Sequence, residues 1–573
     1  MKFSQKRALW FLCVLFVLVA NGFSLDREAF SITRYDLNVE IEPEQHRLGA
    51  RGKITLRNDT STPLKVAVLQ LSSSLDWRSI KTGDKMLQFV RQPLTSDIDH
   101  TGALSEAIVT LPQEIAPQAT IDLEIAYEGV IVLDATRLTR IGTPDDAAAS
   151  TDWDQIDEKF TAVRGAGYVA WYPIATDVAN LSEGDSLFEV LSRWKSREAG
   201  SQTKVSFQSP EPVTSTMVCS GRSVPAGMRE GTARLPWEGC SFNDPSRSAP
   251  SFAIANYGVV SRPSISVYNL PGHAVAAEAY AEAAGKAAPL IADWFGPPRE
   301  NARTADLSDS DAAPFESGSL LLTPLANSDS KLSGLAAAHQ LTHASLFSSR
   351  PWINEGLAHF AQALYLEQEN GRQAALDYMA GHRSAIGGVE SAATPPQSDD
   401  EVNNSLVATT NEELYRSKAM CVWWMLRDMV GDAALKRAIA AYKPERDKEP
   451  SYMPRLISAQ TQRDLEWFFD DWIYRDRGLP DFKVESVYAH RTMTNSYMVT
   501  VTLDNLGTAG AEVPVIIHMT AGEVRGRVEV RGKSKATIRI ETSGVPQEIQ
   551  VNDGSVPETD ITNNTFKVEQ PQS

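Results

Sequence analysis

The sequence predicts a multidomain α+β protein with an N-terminal antiparallel β region, an α-rich middle and a small C-terminal β-sandwich. Three observations carry this. Apolar and polar residues alternate in short runs as far as about residue 265, the texture then turns alanine-rich and helical from Ala274 to about residue 478, and alternation returns after Gly478-Leu479-Pro480. Period two marks half-buried strands and a period near 3.6 marks helices, so these stretches are different kinds of structure. A chain of 573 residues is also too long for one hydrophobic core.

At the start, Lys2, Lys6 and Arg7 precede an apolar run from Ala8 to Val19, and Ala20-Asn21-Gly22 supplies small residues before Asp26. This is the pattern of an export signal over residues 1–24, which places the mature chain in the periplasm or outside the cell. The competing reading is an uncleaved anchor, but spanning a bilayer takes about 20 apolar residues, and Asn21 interrupts the run. No later segment is apolar enough to span, so no transmembrane segment is expected after signal removal.

Next, Tyr35, Leu37, Val39 and Ile41 alternate with polar neighbours, as do Ile121, Leu123, Ile125 and Tyr127. Such runs, broken by turn residues, predict an antiparallel β domain over 25–268. From Ala274 to Trp294 good helix formers run up to Gly296-Pro297-Pro298, a stop signal, and an α-rich domain is expected over 269–480. Within it, 384–411 carries Gly387-Gly388 and Pro395-Pro396 and reads as a mobile loop. Finally, Val499, Val501 and Leu503, then Val513, Val515 and Ile517, then Ile538 and Ile540 predict an immunoglobulin-like sandwich over 481–573, a size that can fold alone. Its tail from about Thr562 is polar and expected to fray.

A formal net charge of −18 excludes non-specific binding to nucleic acid or anionic membranes, because both need a basic field. Of four cysteines, Cys13 leaves with the signal. Cys219 and Cys240 either form a disulfide in an oxidising compartment or remain buried thiols. Cys421 lies in an apolar helix and reads as core, as do Trp423 and Trp424. No Cys-x-x-Cys pair exists, which excludes a thiolate zinc site.

Chemistry concentrates in "HQLTHASLFSSRPWINEG". Of nine histidines, His339, His343 and His359 fall within this most strongly patterned helical stretch and its continuation. On a helix, positions i and i+4 share a face, so His339 and His343 can direct two imidazoles at one ion. Ser348-Ser349-Arg350-Pro351 reads as a reversal into a second helix that brings Glu355 back beside them. Two His and one Glu with an open fourth position is a catalytic zinc geometry. A pair of this kind alone is more often two ordinary surface or core histidines.

The flanking residues resemble a known family. "WINEGLAHF" is similar to the segment carrying the third zinc ligand in gluzincin metallopeptidases of the aminopeptidase N family. "APLIADWFGPP", "APFESGSLLL", "PSFAIANYG" and "YRSKAMCVWWMLRDMVGD" resemble further pieces of that family in the same order. The resemblance implies a β saddle, a thermolysin-like catalytic domain and a C-terminal sandwich. It further implies one zinc per chain held by His339, His343 and Glu355, and a peptide or protein substrate. By the same likeness Asn354 is an outer-shell residue, although its type also suits a helix N-cap. His359 either approaches the site or is a buried hydrogen-bonded histidine.

Four departures stand against this likeness. Gln340 occupies the place of the family's general-base glutamate; an amide can orient water but cannot accept its proton. The link between His343 and Glu355 is eleven residues, shorter than in the family. Only Glu316 remains of the exopeptidase loop, where it either pairs with a substrate's α-amine or is an exposed carboxylate at a strand edge. Tyr415 stands three positions before Lys418 rather than two, so an oxyanion role needs a local adjustment of the helix, and a plain helix-start aromatic is the alternative. The expected function is an exported metallopeptidase of aminopeptidase type, weakened by Gln340 unless Glu390 or Asp399 supplies the base. The rival is a pseudo-peptidase scaffold that binds peptides or proteins without cutting them.

Overall fold

The computed structural model describes residues 25–185, 187–208, 215–224, 239–242, 249–326, 329–392, 405–409 and 411–568. The expected export signal and Asp399 lie outside them. The run Phe30–Glu42 buries Tyr35, Leu37, Val39 and Ile41, as its alternation predicts. It pairs antiparallel with Arg47–Asn58, which in turn pairs with Thr120–Val130, within an eight-stranded sheet. On its other edge Phe30–Glu42 pairs in parallel with Gln202–Gln208, so the region is not purely antiparallel. A parallel pair needs a long connection. Here most of the domain, including helix α1 (Leu187–Arg197), lies between the two strands. Cys219 and Cys240 are bonded.

The strands Gly258–Arg262 and Ile265–Asn269 do not belong with that region as expected. They pair onward with Ala302–Asp306 and Leu320–Thr323, with Phe315–Ser317 at the far edge, forming the five-stranded sheet of the middle domain. Alternation reveals a strand but not which sheet takes it. Helices α2 (Ala274–Phe295), α3 (Ser330–Ser345), α4 (Pro351–Asn370), α5 (Arg383–Ala392) and α6 (Ala419–Val430) are among the helices of this domain. Helix α5 replaces the start of the expected loop. Ile386 is buried and Glu390 pairs with Lys418, contacts that outweigh the weak helix propensity of Gly387-Gly388.

The C-terminal region is a sandwich of Phe482–Arg491, Tyr497–Asn505 and Lys535–Thr542 against Glu523–Val530, Ala511–Met519, Pro546–Val551 and Thr565–Lys567. The last of these is an edge strand made from the tail expected to fray. The sandwich shares one apolar core with the helical domain, and Trp472 spans the junction by donating to the Gly510 carbonyl at 2.7 Å. Among the described residues no helix is long and apolar enough to cross a membrane.

Candidate metal centre

Helix α3 begins where the Asp329 carboxylate accepts the Leu332 amide at 2.7 Å, an N-cap. Its i, i+4 spacing brings His339 Nε2 and His343 Nε2 to 3.1 Å. After a five-residue reversal Pro351 opens α4 at the position where its missing N–H costs nothing. The Trp352 and Trp423 rings stack with centroids 5.1 Å apart, and the Trp423 indole donates to the Trp352 carbonyl at 3.1 Å. Gly356 permits this approach, since a Cβ there would stand 2.7 Å from that of Ala419 on α6. The seating fixes Glu355, whose carboxylate lies 3.7 Å from His339 Nε2 and 3.6 Å from His343 Nε2.

These donors fit zinc. Bonds of about 2.0–2.1 Å place the ligand atoms of a tetrahedral site about 3.3 Å apart, close to the separations observed. Burial alone would lower the His343 pKa, but the Glu316 and Glu355 carboxylates outweigh it and push it up to about 9. Burial likewise opposes ionisation of Glu355, yet the His343 imidazole beside it holds its carboxyl well below the usual range. Asn354 lies inside α4, not at its N-cap. Its amide oxygen accepts from Ser348 N–H, and its NH2 faces His343 Nδ1 and Glu355 Oε1, each at 3.2 Å.

Gln340 does not face this centre. It is fully buried, and its oxygen accepts from the hydroxyls of Tyr280 at 3.1 Å and Thr304 at 2.9 Å. Its NH2 donates to the carbonyls of Arg303 at 2.7 Å and Ser319 at 3.1 Å. An amide offers two donors and two lone pairs, and all four are spent on Tyr280 of α2, on Thr304 and Arg303 of the sheet and on Ser319 in the turn before its neighbouring strand. The expected water-orienting role is therefore ruled out in this arrangement.

Tyr415 sits in a π-helical turn, Glu413–Lys418, which absorbs one extra residue, the kind of adjustment its register demands. Its ring nevertheless stacks on Phe188 of α1, and its hydroxyl donates to Glu412 at 3.3 Å. The neighbour Arg416 takes its place, with Nε 3.7 Å from Glu355 Oε2. Arg416 is two positions before Lys418, where the family likeness puts tyrosine, and that register was the sequence signal for it. Glu390 is committed elsewhere, to the buried Lys418 ammonium that Asp476 also contacts.

Glu316, on the edge strand, turns its carboxylate onto His339, Oε2 to Nε2 3.2 Å, rather than standing free in solvent. His339, Glu355 and His359 can also present ligand atoms to one point. The His359 ring lies 4.9 Å from that of His339, and its Nδ1 is buried without a hydrogen-bond partner, contrary to a bonded core histidine. Burial, helped by the nearby His339, holds His359 well below its usual pKa and therefore neutral. Sequence spacing gave it no distinct role.

No family model matches the sequence, and no curated protein does. Among solved structures, the M1 zinc metallopeptidase from Deinococcus radiodurans aligns with TM-score 0.50 at 17% identity over 79% of this chain and 95% of that one. A glutamate-to-alanine mutant of the same enzyme aligns with TM-score 0.51 at 17% identity, covering 80% and 97%. At this identity the likeness is one of fold. The three-part α+β architecture of the chain is that of an M1 zinc metallopeptidase.

Proposed function

We propose that the chain is an exported zinc metallopeptidase-like protein of aminopeptidase type, acting on peptides or proteins. The observation that carries this is the convergence of His339, His343 and Glu355 with separations of 3.1–3.7 Å. His339, His343 and Glu355 would hold the ion, which when bound supplies Lewis acidity toward a peptide carbonyl and a water. Asn354 braces His343 and Glu355 from behind. Arg416 brings a fixed positive charge to the rim, where negative charge develops on the carbonyl oxygen during attack. Export rests on the basic and apolar pattern of the first residues.

The test is metal analysis of the purified chain together with turnover of aminoacyl-arylamides and short peptides. One zinc per chain, lost in His339→Ala, is the expected result; a chain that takes up no zinc ends this reading. A specific observation favours a second reading, a zinc-holding scaffold that binds peptides without cutting them. Gln340 has no free hydrogen-bonding capacity to offer a water. Zinc uptake and peptide binding without turnover would establish the scaffold.

A further inference from the structure

We propose that Glu316 is the proton acceptor of the reaction, supplying what Gln340 does not. The inference rests on the metallopeptidase reading above. Peptide hydrolysis by an attacking water needs a base within hydrogen-bond reach of that water. Among the described residues, Glu316 and Glu355 are the carboxylates in ion-pair contact with His339, and Glu355 belongs to the ligand set. Glu316, His339 and His343 each place a ligand atom within 4.8 Å of the others, so the Glu316 carboxylate borders the space in front of the two imidazoles where the attacking water would be held. One oxygen of that carboxylate, Oε1, is buried and has no hydrogen-bond partner.

The carboxylate is also held in place. Trp153 donates from its indole to the Ala313 carbonyl at 2.9 Å, and the Ala313 amide donates to the Ser150 carbonyl at 2.7 Å. On the residue before Glu316, the Phe315 ring packs edge-on against Tyr168 with centroids 5.3 Å apart. On the residue after it, the Ser317 hydroxyl donates to the Ala249 carbonyl at 3.0 Å. The N-terminal domain thus grips the strand on both sides of Glu316, the preorganisation that a base requires.

In the step, a Glu316 oxygen takes one proton from water as the water oxygen bonds to the scissile carbonyl carbon. The same proton then passes to the amide nitrogen as the C–N bond breaks. One water is consumed, an amine and a carboxylic acid are released, and the Glu316 carboxylate is regenerated.

The experiment compares the native chain with Glu316→Gln and Glu316→Asp, measuring zinc affinity by competition with a chromophoric chelator and kcat and KM on an aminoacyl-arylamide. For Glu316→Gln we expect zinc affinity and KM within about threefold of native and kcat lower by about 10²–10⁴. Glu316→Asp, which keeps a carboxylate, should fall between the two. A tenfold or larger loss of zinc affinity in Glu316→Gln would make Glu316 a ligand and overturn the proposal. A raised KM with kcat intact would make it an amine anchor, and an unchanged kcat would leave it no role; either overturns it too. A native chain that binds zinc but cuts nothing overturns this inference while sparing the metal centre, whereas failure to bind zinc removes both.

Discussion

The side-chain NH2 of Gln340 and the backbone carbonyl of Arg303 form a 2.7 Å hydrogen bond that ties helix α3 to the strand Ala302–Asp306. With the bonds to Ser319, Thr304 and Tyr280 it makes Gln340 a structural clasp that ties α3 to the sheet and to α2. The residue that departs most visibly from the H-E-x-x-H pattern has thus acquired a different task.

Gln340→Glu therefore should not awaken a latent base. A carboxylate in that position cannot donate to the Arg303 and Ser319 carbonyls and would face them as a buried charge without a cation. The expected cost is about 3–5 kcal/mol, the range for an uncompensated buried charge. Urea unfolding at neutral pH measures it, alongside kcat. A variant as stable as the native chain and more active would refute the clasp.

Much of this fold was legible, and the particular misses have physical reasons. Alternation located Phe30–Glu42 and Tyr497–Asn505 because one face of each is buried. It could not assign Ile265–Asn269 to its sheet, since pairing partners are a property of the whole chain. The convergence of His339, His343 and Glu355 was legible because i, i+4 spacing and a proline-started return helix are local geometry. Gln340 was misjudged because its direction depends on where the sheet lies, and Arg416, marked only by its register two positions before Lys418, was missed because the π-turn that turns it toward Glu355 is set by the fold. Residues 384–392 were misread because tertiary contacts, not propensity, hold that helix.

Lys418 is fully buried between Glu390 and Asp476 and joins α5 to the segment leading into the sandwich. Burial works against its charge, but the two carboxylates keep its pKa above the ordinary lysine value. Lys418→Met leaves both acids without a cation and should cost about 3–5 kcal/mol. Combining it with Glu390→Gln should recover part of the loss, because one stranded charge is then gone. Thermal unfolding of the two variants decides, and equal stabilities would contradict the pairing.

Gly356→Ala probes whether Glu355 depends on the closeness of α4 and α6. The added methyl would stand 2.7 Å from the Ala419 Cβ and 3.1 Å from the Trp423 indole nitrogen. Overpacking of this kind costs about 1–3 kcal/mol. Because Glu355 is the adjacent residue, zinc affinity should also fall, by about 10–100-fold if the displacement misaligns the carboxylate. Chelator competition on folded protein separates the two effects; unchanged affinity would show that the site tolerates a shift of α4.

Glu198 gives a pH dependence with a definite sign. It is buried in the N-terminal domain, where its carboxylate meets the Tyr35 hydroxyl at 3.0 Å and accepts the Ile32 amide at 3.3 Å. Burial raises its pKa from 4.5 to about 7. Between those values the folded chain keeps a proton that the unfolded chain has lost, so raising the pH weakens the fold across this window and leaves a constant penalty above it. The Tyr35 hydroxyl also reaches the Pro173 carbonyl at 3.0 Å, leaving its oxygen free to accept from a protonated Glu198. Glu198→Gln mimics that neutral form. It should match the native chain near pH 4.5 and exceed it at pH 8 by on the order of 3 kcal/mol. Glu558, likewise raised to about 7 by burial, keeps a similar slope in both proteins, so the difference between them isolates Glu198. Parallel stability curves from pH 4.5 to 8 would show that Glu198 ionises in the fold without penalty.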